Sequence, residues 1–303
     1  TLGHSIIEFS KIFKKIQPDI NLILGDRDEM LASALSSYHM NIPNAHIHGG
    51  ESSGGIDEYT RHAITKISNI HFAPSQKSKK RILKMGENSK YVFFTGSPSI
   101  DGISTNNISK KKYLEKKYNI PLRGDEIILV QHPVTTQVDL TEKHMKNTLK
   151  AILKFNKTII SISPNSDSGN KQIFKQLELF AKKTSLIKNY PSIPRSDYLG
   201  FLKYAGILVG NSSSGLIEAS YFNIPVVNIG IRQKNRERGK NVFDVTNDSV
   251  DLIEKTIKKA FNSKNQKNKN NKIFGIGNSS NKIVKILEQI KLTDDITEKN
   301  FCD

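Results

Sequence analysis

Short β-branched runs alternate with stretches of helical period along the chain, the pattern of βα units that build a parallel sheet. Ile6, Ile7, Phe9, Ile12, Phe13 and Ile16 recur near helical spacing, and Asp19-Ile20-Asn21-Leu22-Ile23-Leu24 then reads as a buried strand ending at Gly25. The spacing predicts a helix over 30–38, a strand at 45–48, a helix over about 58–68, a short strand at 70–72, a helix from Ser75 and a strand at 91–94. Near Asn119-Ile120-Pro121-Leu122-Arg123-Gly124-Asp125 the pattern breaks, and it restarts with Glu126-Ile127-Ile128-Leu129-Val130. That places an N-terminal domain at 1–120 and a C-terminal domain at 121–280. The second series puts strands at 127–131, 158–161, about 185–188, 206–209 and 225–229, with helices around 141–155, 170–182, 196–204 and 213–222. A last helix over about 281–290 follows, and the segment 281–303 is expected to pack back on the first domain. There is no internal repeat of solenoid period. The expected fold class is α/β: two Rossmann-like doubly wound domains facing across a cleft, with the carboxyl ends of their strands, where such folds bind ligands, lining it.

The polar residues concentrate at those strand ends. The densest run, His46-Ile47-His48-Gly49-Gly50-Glu51-Ser52-Ser53-Gly54-Gly55-Ile56-Asp57-Glu58-Tyr59-Thr60-Arg61-His62, follows a predicted strand. Its glycines allow close backbone approach to a ligand, and its mixed acids and bases are what proton transfer needs. The alternative is a helix cap built on Asp57 and Glu58. Gly25-Asp26-Arg27-Asp28-Glu29 also ends a strand and opens a helix, so Asp26 reads either as a cap or, taken with the first cluster, as a catalytic carboxylate. Gly210-Asn211-Ser212-Ser213-Ser214-Gly215 links a strand to a helix and offers N–H groups and hydroxyls to an anion, without the GK[ST] ending of a Walker loop; a plain N-cap is the other reading. Gln131-His132-Pro133-Val134-Thr135-Thr136 ends a further strand. His46 and His48 fall on one face of a strand, but no third ligand at motif spacing joins them, so no metal is expected.

Composition narrows the class. Of 303 residues 36% are hydrophobic, enough for a packed core and against a disordered or collagen-like chain. The single cysteine, Cys302, excludes a disulfide framework and suits a reducing compartment, so the cytoplasm is the expected location. No apolar run approaches the roughly 20 residues that span a bilayer, and no secretory leader pattern opens the chain, so no membrane partner is expected. Thr1-Leu2-Gly3-His4 lacks an initiator methionine and runs directly into an amphipathic helix, as a fragment would. The formal charge of 46 − 29 = +17 draws polyanions, yet much of the excess is lysine mixed with asparagine over 264–272, without aromatic residues for base stacking. That stretch reads as a solvated loop, and with no zinc-finger, RNP or basic-heptad pattern nucleic acid is not an expected partner.

Taken in order, several motifs resemble the hydrolysing UDP-N-acetylglucosamine 2-epimerases, a family that includes bacterial sialic-acid pathway enzymes and the epimerase half of a bifunctional animal enzyme. They are Leu24-Gly25-Asp26-Arg27, His46-Ile47-His48-Gly49-Gly50-Glu51 continuing to Ile56-Asp57-Glu58 and Arg61-His62-Ala63-Ile64-Thr65-Lys66, Gln131-His132-Pro133-Val134-Thr135-Thr136, Gly210-Asn211-Ser212-Ser213-Ser214-Gly215 and Asn228-Ile229-Gly230-Ile231-Arg232-Gln233. The resemblance implies the two-domain glycosyltransferase-B architecture, no cofactor, a UDP-sugar substrate and a homodimer. It implies departure of UDP from carbon 1 with loss of the carbon 2 proton, then hydration of the resulting 2-acetamidoglycal with inversion, giving free N-acetylmannosamine. Asp26, His48 and Asp57 match positions for acid and base work, with Glu51 and Arg61 beside them and His132 in the second domain. Ser212, Ser213 and Arg232 match diphosphate contacts, Glu218 a ribose contact, and Asn165 with Asp167 part of the nucleotide-sugar pocket, with Arg27, Gly210 and Asn211 also expected to bind the UDP-sugar.

Some members have glutamate at the position of His48, while bacterial capsule-type relatives show histidine. The family pattern also carries roughly two βα units ahead of the position of Thr1, and a parallel sheet without them exposes an apolar edge. The alternatives are the same reaction on UDP-2,4-diacetamido-2,4,6-trideoxyglucose of the legionaminic-acid route, the non-hydrolysing epimerase, and a nucleotide-sugar binder without turnover.

Overall fold

A computed structural model of the chain describes residues 1–53, 56–104, 108–247, 249–264 and 272–302, the side chains at 56, 104, 294 and 295 excepted. Most of the lysine and asparagine run at 264–272, and Gly54 and Gly55 of the glycine-rich cluster, lie outside the described residues. The chain divides into two compact units, one formed by 1–101 with 273–303 and the other by 102–272.

The first unit holds a parallel sheet of β1 (Asn21–Leu24), β2 (Asn44–Ile47), β3 (Ile70–Ala73) and β4 (Val92–Phe94), in that spatial order. β2 and β3 are buried along their whole length, as a strand covered on both faces must be. β1 is not the buried strand that its apolar run predicts. It is an edge strand, with Leu22 and Leu24 half exposed, and among the described residues only β2 pairs with it. The helix Leu2–Ile16 packs on the helix Asp28–His39, yet Phe13 is the one residue that it buries. Asparagines tie the starts of the strands together. Asn21 Nδ2 donates to Asn44 Oδ1 at 2.9 Å, and the Asn44 N–H donates to Asn69 Oδ1 at 3.0 Å.

The C-terminal segment completes this unit. Asp101 accepts the N–H groups of Ser279 and Ser280 at the start of the helix Ser279–Gln289, from which Ile283 joins the core around Phe72 with Ile296. Asn69 Nδ2 donates to Ile296 O, and Lys299 pairs with Glu87, a carboxylate that also meets Lys66 and His71.

The second unit holds a six-stranded parallel sheet: β5 (Ile127–Val130), β6 (Ile159–Ile162), β7 (Ile187–Tyr190), β8 (Ile207–Gly210), β9 (Val226–Ile229) and β10 (Val242–Val245). The spatial order β7-β6-β5-β8-β9-β10 reverses direction between β5 and β8, the crevice where doubly wound sheets bind ligands. The second unit begins at 102, ahead of the expected boundary near 120, because residues 108–120 belong to it. The helix Lys111–Tyr118 packs on the helix Arg195–Tyr204, and Ser109, Lys117 and Tyr118 converge on the buried Asp197. The helix expected over 213–222 is broken into a 3-10 turn, Ser213–Gly215, and a short helix, Glu218–Phe222.

Candidate active site

In the first unit the chain leaves β2 through His48, whose φ of +69° is left-handed, and Gly50, at +73°. A Cβ on Gly50 would stand 2.5 Å from Ser78 O and 2.6 Å from Ile82 Cγ1, so only glycine lets this turn press against the helix Gln76–Lys84. The turn aims the His48 ring between two partners. Nδ1 lies 3.1 Å from Glu51 Oε2, and Nε2 lies 2.8 Å from Oγ of the fully buried Ser97, just beyond β4. A carboxylate accepts only, which places a proton on Nδ1, while Nε2 faces the Ser97 hydroxyl, whose Oγ accepts the N–H of Ser99.

Arg61, on the helix Ile56–Lys66, joins this group to β1. Its guanidinium pairs with Asp26, donates to Ser53 Oγ at 2.8 Å and donates to Glu51 O at 3.3 Å. Its side chain is only 4% exposed, so loss of Asp26 would take a carboxylate away from a buried charge. Glu58 accepts the Ser53 N–H at 2.8 Å, which is capping work. Asp57 stands exposed on the first helical turn, with no hydrogen bond or ion pair among the described residues. Arg27 is exposed and pairs with Glu29.

His46 has another role. Nε2 meets Gly25 O at 2.9 Å and Nδ1 meets Thr65 Oγ1 at 3.2 Å, and burial pushes its pKa down to about 3. It is a neutral fastener inside β2, whereas His48 lies past the strand in a left-handed turn, so the two do not share a strand face. No group of three or more histidine, cysteine or acidic residues able to hold a metal ion occurs among the described residues.

In the second unit the site lies at the switch between β5 and β8. Gly210 has φ +137°, and a Cβ on it would stand 2.0 Å from Val130 O, so the end of β8 can lie against β5 only with glycine there. Asn211 then bridges the two strand ends. Its Oδ1 accepts the His132 N–H at 2.7 Å, and its Nδ2 donates to His132 O at 2.9 Å. His132 Nδ1 accepts the Asn165 N–H at 3.0 Å, so the ring proton sits on Nε2. Burial, together with the Arg232 charge, pushes the pKa of His132 down to about 4. Arg232 Nη1 lies 3.3 Å from Asn211 O and Nη2 4.0 Å from Asp167 Oδ2.

Ser212 caps the 3-10 turn through the Ser214 N–H, so this segment supplies local N–H and hydroxyl donors, not the end of a long helix as expected. Ser213 is half-buried in the same turn. Glu218 is buried and meets Arg195 Nη1 at 3.3 Å. Asn165 Oδ1 is buried with no hydrogen-bond partner among the described residues.

Ser97 and Ser53 escaped the sequence reasoning, as did Tyr198, whose hydroxyl bonds Ser214 Oγ. The signal for Ser97 was Thr95-Gly96-Ser97-Pro98, a glycine-containing turn directly after a strand.

The fold defines a class: two parallel-sheet α/β units of the glycosyltransferase-B-like type, with bonded ionisable groups at the strand ends of one and hydrogen-bond donors beside Arg232 at those of the other. The family model for UDP-N-acetylglucosamine 2-epimerase matches residues 1–288, and the chain belongs to that family. It is 36% identical over 298 residues to a Legionella pneumophila protein named UDP-N,N'-diacetylbacillosamine 2-epimerase (hydrolyzing), covering 98% of this chain and 78% of that one. It is 39% identical over 301 residues to the Campylobacter jejuni GDP/UDP-N,N'-diacetylbacillosamine 2-epimerase (hydrolyzing), covering 97% and 77%. Among solved structures, the Methanocaldococcus jannaschii UDP-GlcNAc 2-epimerase in complex with UDP-GlcNAc and UDP aligns with a TM-score of 0.76 at 26% identity, over 95% of this chain and 80% of that one.

Proposed function

We propose that the protein is a hydrolysing 2-epimerase of a UDP-linked 2-acetamido sugar, acting in the cytoplasm as a homodimer without metal or redox cofactor. The observation that carries this reading is the bonded network Asp26–Arg61–Glu51–His48–Ser97, in which Arg61 reaches Glu51 through its backbone oxygen, in a chain of this family.

The reaction removes the proton at carbon 2 while UDP leaves carbon 1, then adds water across the double bond, hydroxyl to carbon 1 and proton to carbon 2 on the opposite face. Two proton transfers at one carbon from opposite faces require two groups. Asp26 and His48, linked through Arg61 and Glu51, are assigned these roles, with Asp57 as a third acid–base group near the sugar. His132, neutral at physiological pH, donates from Nε2 and acts as a hydrogen-bond donor, not as a cation. Negative charge builds on the departing diphosphate, which is assigned to Arg232, Ser212, Ser213 and the backbone at Gly210 and Asn211. Glu218 is assigned to the ribose, and Arg27, Asn165 and Asp167 to the remainder of the nucleotide sugar.

Two relatives that are 36% and 39% identical over nearly the whole chain favour UDP-N,N'-diacetylbacillosamine, the 2,4-diacetamido-2,4,6-trideoxyglucose nucleotide, as substrate. UDP-N-acetylglucosamine, which the motifs suggest, is the second reading and is bound in the aligned archaeal structure. Proton NMR of the protein with each nucleotide sugar in deuterated water tests both. The expected result is a free 2-epimeric sugar with deuterium at carbon 2, faster from the diacetamido nucleotide. Release of a UDP-linked epimer overturns the hydrolysing assignment, and faster turnover of UDP-N-acetylglucosamine overturns the substrate choice.

A further inference from the structure

The loop after β9 serves two places. Arg232 and Gln233 reach the backbone oxygen of Asn211, whereas Ile231, Lys234, Asn235 and Arg238 line a cavity of about 670 Å³. The ends of β9 and β10 and the helices Thr141–Leu153 and Val250–Ser263 supply the other walls. The volume falls in the range of sites for small molecules, about 300–1,000 Å³. None of the residues assigned above to the UDP-sugar lines it.

Three large apolar side chains stand exposed around this one space: Leu140 at 41%, Ile231 at 42% and Leu252 at 51%. Asp244 is already engaged by Asn228 and by Arg238, which leaves Lys234 with no carboxylate partner among the described residues. The walls thus hold two cations against one carboxylate. Asn247, only 5% exposed, also lines the cavity, and its Oδ1, itself closed to solvent, has no hydrogen-bond partner among the described residues. A Cβ on Gly230 would stand 2.7 Å from Asn247 Nδ2, so the glycine keeps the amide at the wall.

We propose that this cavity is a second ligand site, distinct from the UDP-sugar site, for a sugar-sized anion. The anionic group, a carboxylate or a phosphate, sits on Lys234, and an apolar sugar face lies on Leu140, Ile231 and Leu252.

The chain has no tryptophan, so Leu252→Trp places a single indole in the wall. Glucuronate and glucose 6-phosphate are titrated against this variant, with and without saturating UDP. The expected result is a saturable emission change for at least one probe, with a Kd below about 1 mM, unmoved by UDP and weakened at least about tenfold by adding Lys234→Glu. Which probe responds identifies the anionic group. Saturation-transfer NMR with the same probes on the unsubstituted protein guards against a variant that blocks the cavity. Absence of binding by both methods, loss of binding when UDP is present, or indifference to Lys234→Glu overturns the proposal.

Discussion

At the strand ends of the first unit Asp26, Arg61, Glu51 and His48 satisfy one another as acids and bases, whereas at those of the second unit His132, Asn211 and Asn165 are held by neutral hydrogen bonds beside Arg232. Both sets arise in the same way, from a parallel strand that ends in a turn where glycine admits a close approach, at Gly50 and Gly210. The difference lies in what the turns carry. Paired ionisable groups held nearly out of water keep fixed positions and can exchange protons; neutral donors around one cation suit an anion that must bind and then leave. Rate is therefore expected to depend on the first unit and nucleotide affinity on the second.

The largest effect should come from the first set. Asp26→Asn is expected to lower kcat by about 10²–10⁴-fold, the usual weight of general acid–base catalysis, with UDP affinity by calorimetry unchanged. Because the buried Arg61 then loses the Asp26 carboxylate, Tm should fall as well; His48→Gln, which leaves the Asp26–Arg61 pair intact, should lose rate with little loss of Tm. A parallel loss of UDP affinity in both variants would break the division of labour. The converse variant, Asn211→Ala, strips His132 of the side-chain partners of its N–H and C=O and should weaken UDP binding by about 1–3 kcal/mol while kcat at saturation changes less.

Acid should act on both units through two histidines. His46 and His132 stay neutral in the folded protein down to about pH 3 and 4, but near pH 6.5 they take up protons when unfolded. The unfolded chain then binds more protons across that window, so their contribution is complete above about pH 6.5 and declines as pH falls toward 4, by up to about 1.4 kcal/mol per unit for each group. Tm measured from pH 7.5 to 5 should decrease, and His46→Gln should flatten the slope. An unchanged slope would mean that His46 is not the neutral fastener described. The smallest effect is assigned to Ser97→Ala, which removes one hydrogen bond to His48 and should cost kcat about 0.5–1.5 kcal/mol with KM unmoved.

The elements that could be read in advance are those whose side chains face one environment. β2, β3, β5, β8 and β9 are buried along all four residues, and β5 and β8 appear as uninterrupted apolar runs. β10, Val242-Phe243-Asp244-Val245, escaped notice because an edge strand with an acid facing Asn228 carries no such run, and the helix Lys111–Tyr118 buries only Leu114 among its lysines. β1 misled in the other direction: an apolar run does not say whether a neighbour covers it. In the site, His48 and Glu51 are three residues apart and readable as a cluster, but Ser97 reaches His48 across 49 residues and Asn211 reaches His132 across 79. Such pairs exist only once the sheet order is set.

The return of residues 273–303 to the first unit has a consequence for the order of events during synthesis. Residues 102–272 form one uninterrupted stretch and can fold as soon as they clear the ribosome. The first unit, although most of it emerges earlier, lacks Phe274, Ile283 and Ile296 of its buried set until the segment after the second unit has been made, so the nascent chain must keep β2 and β3 from aggregating while the second unit is made.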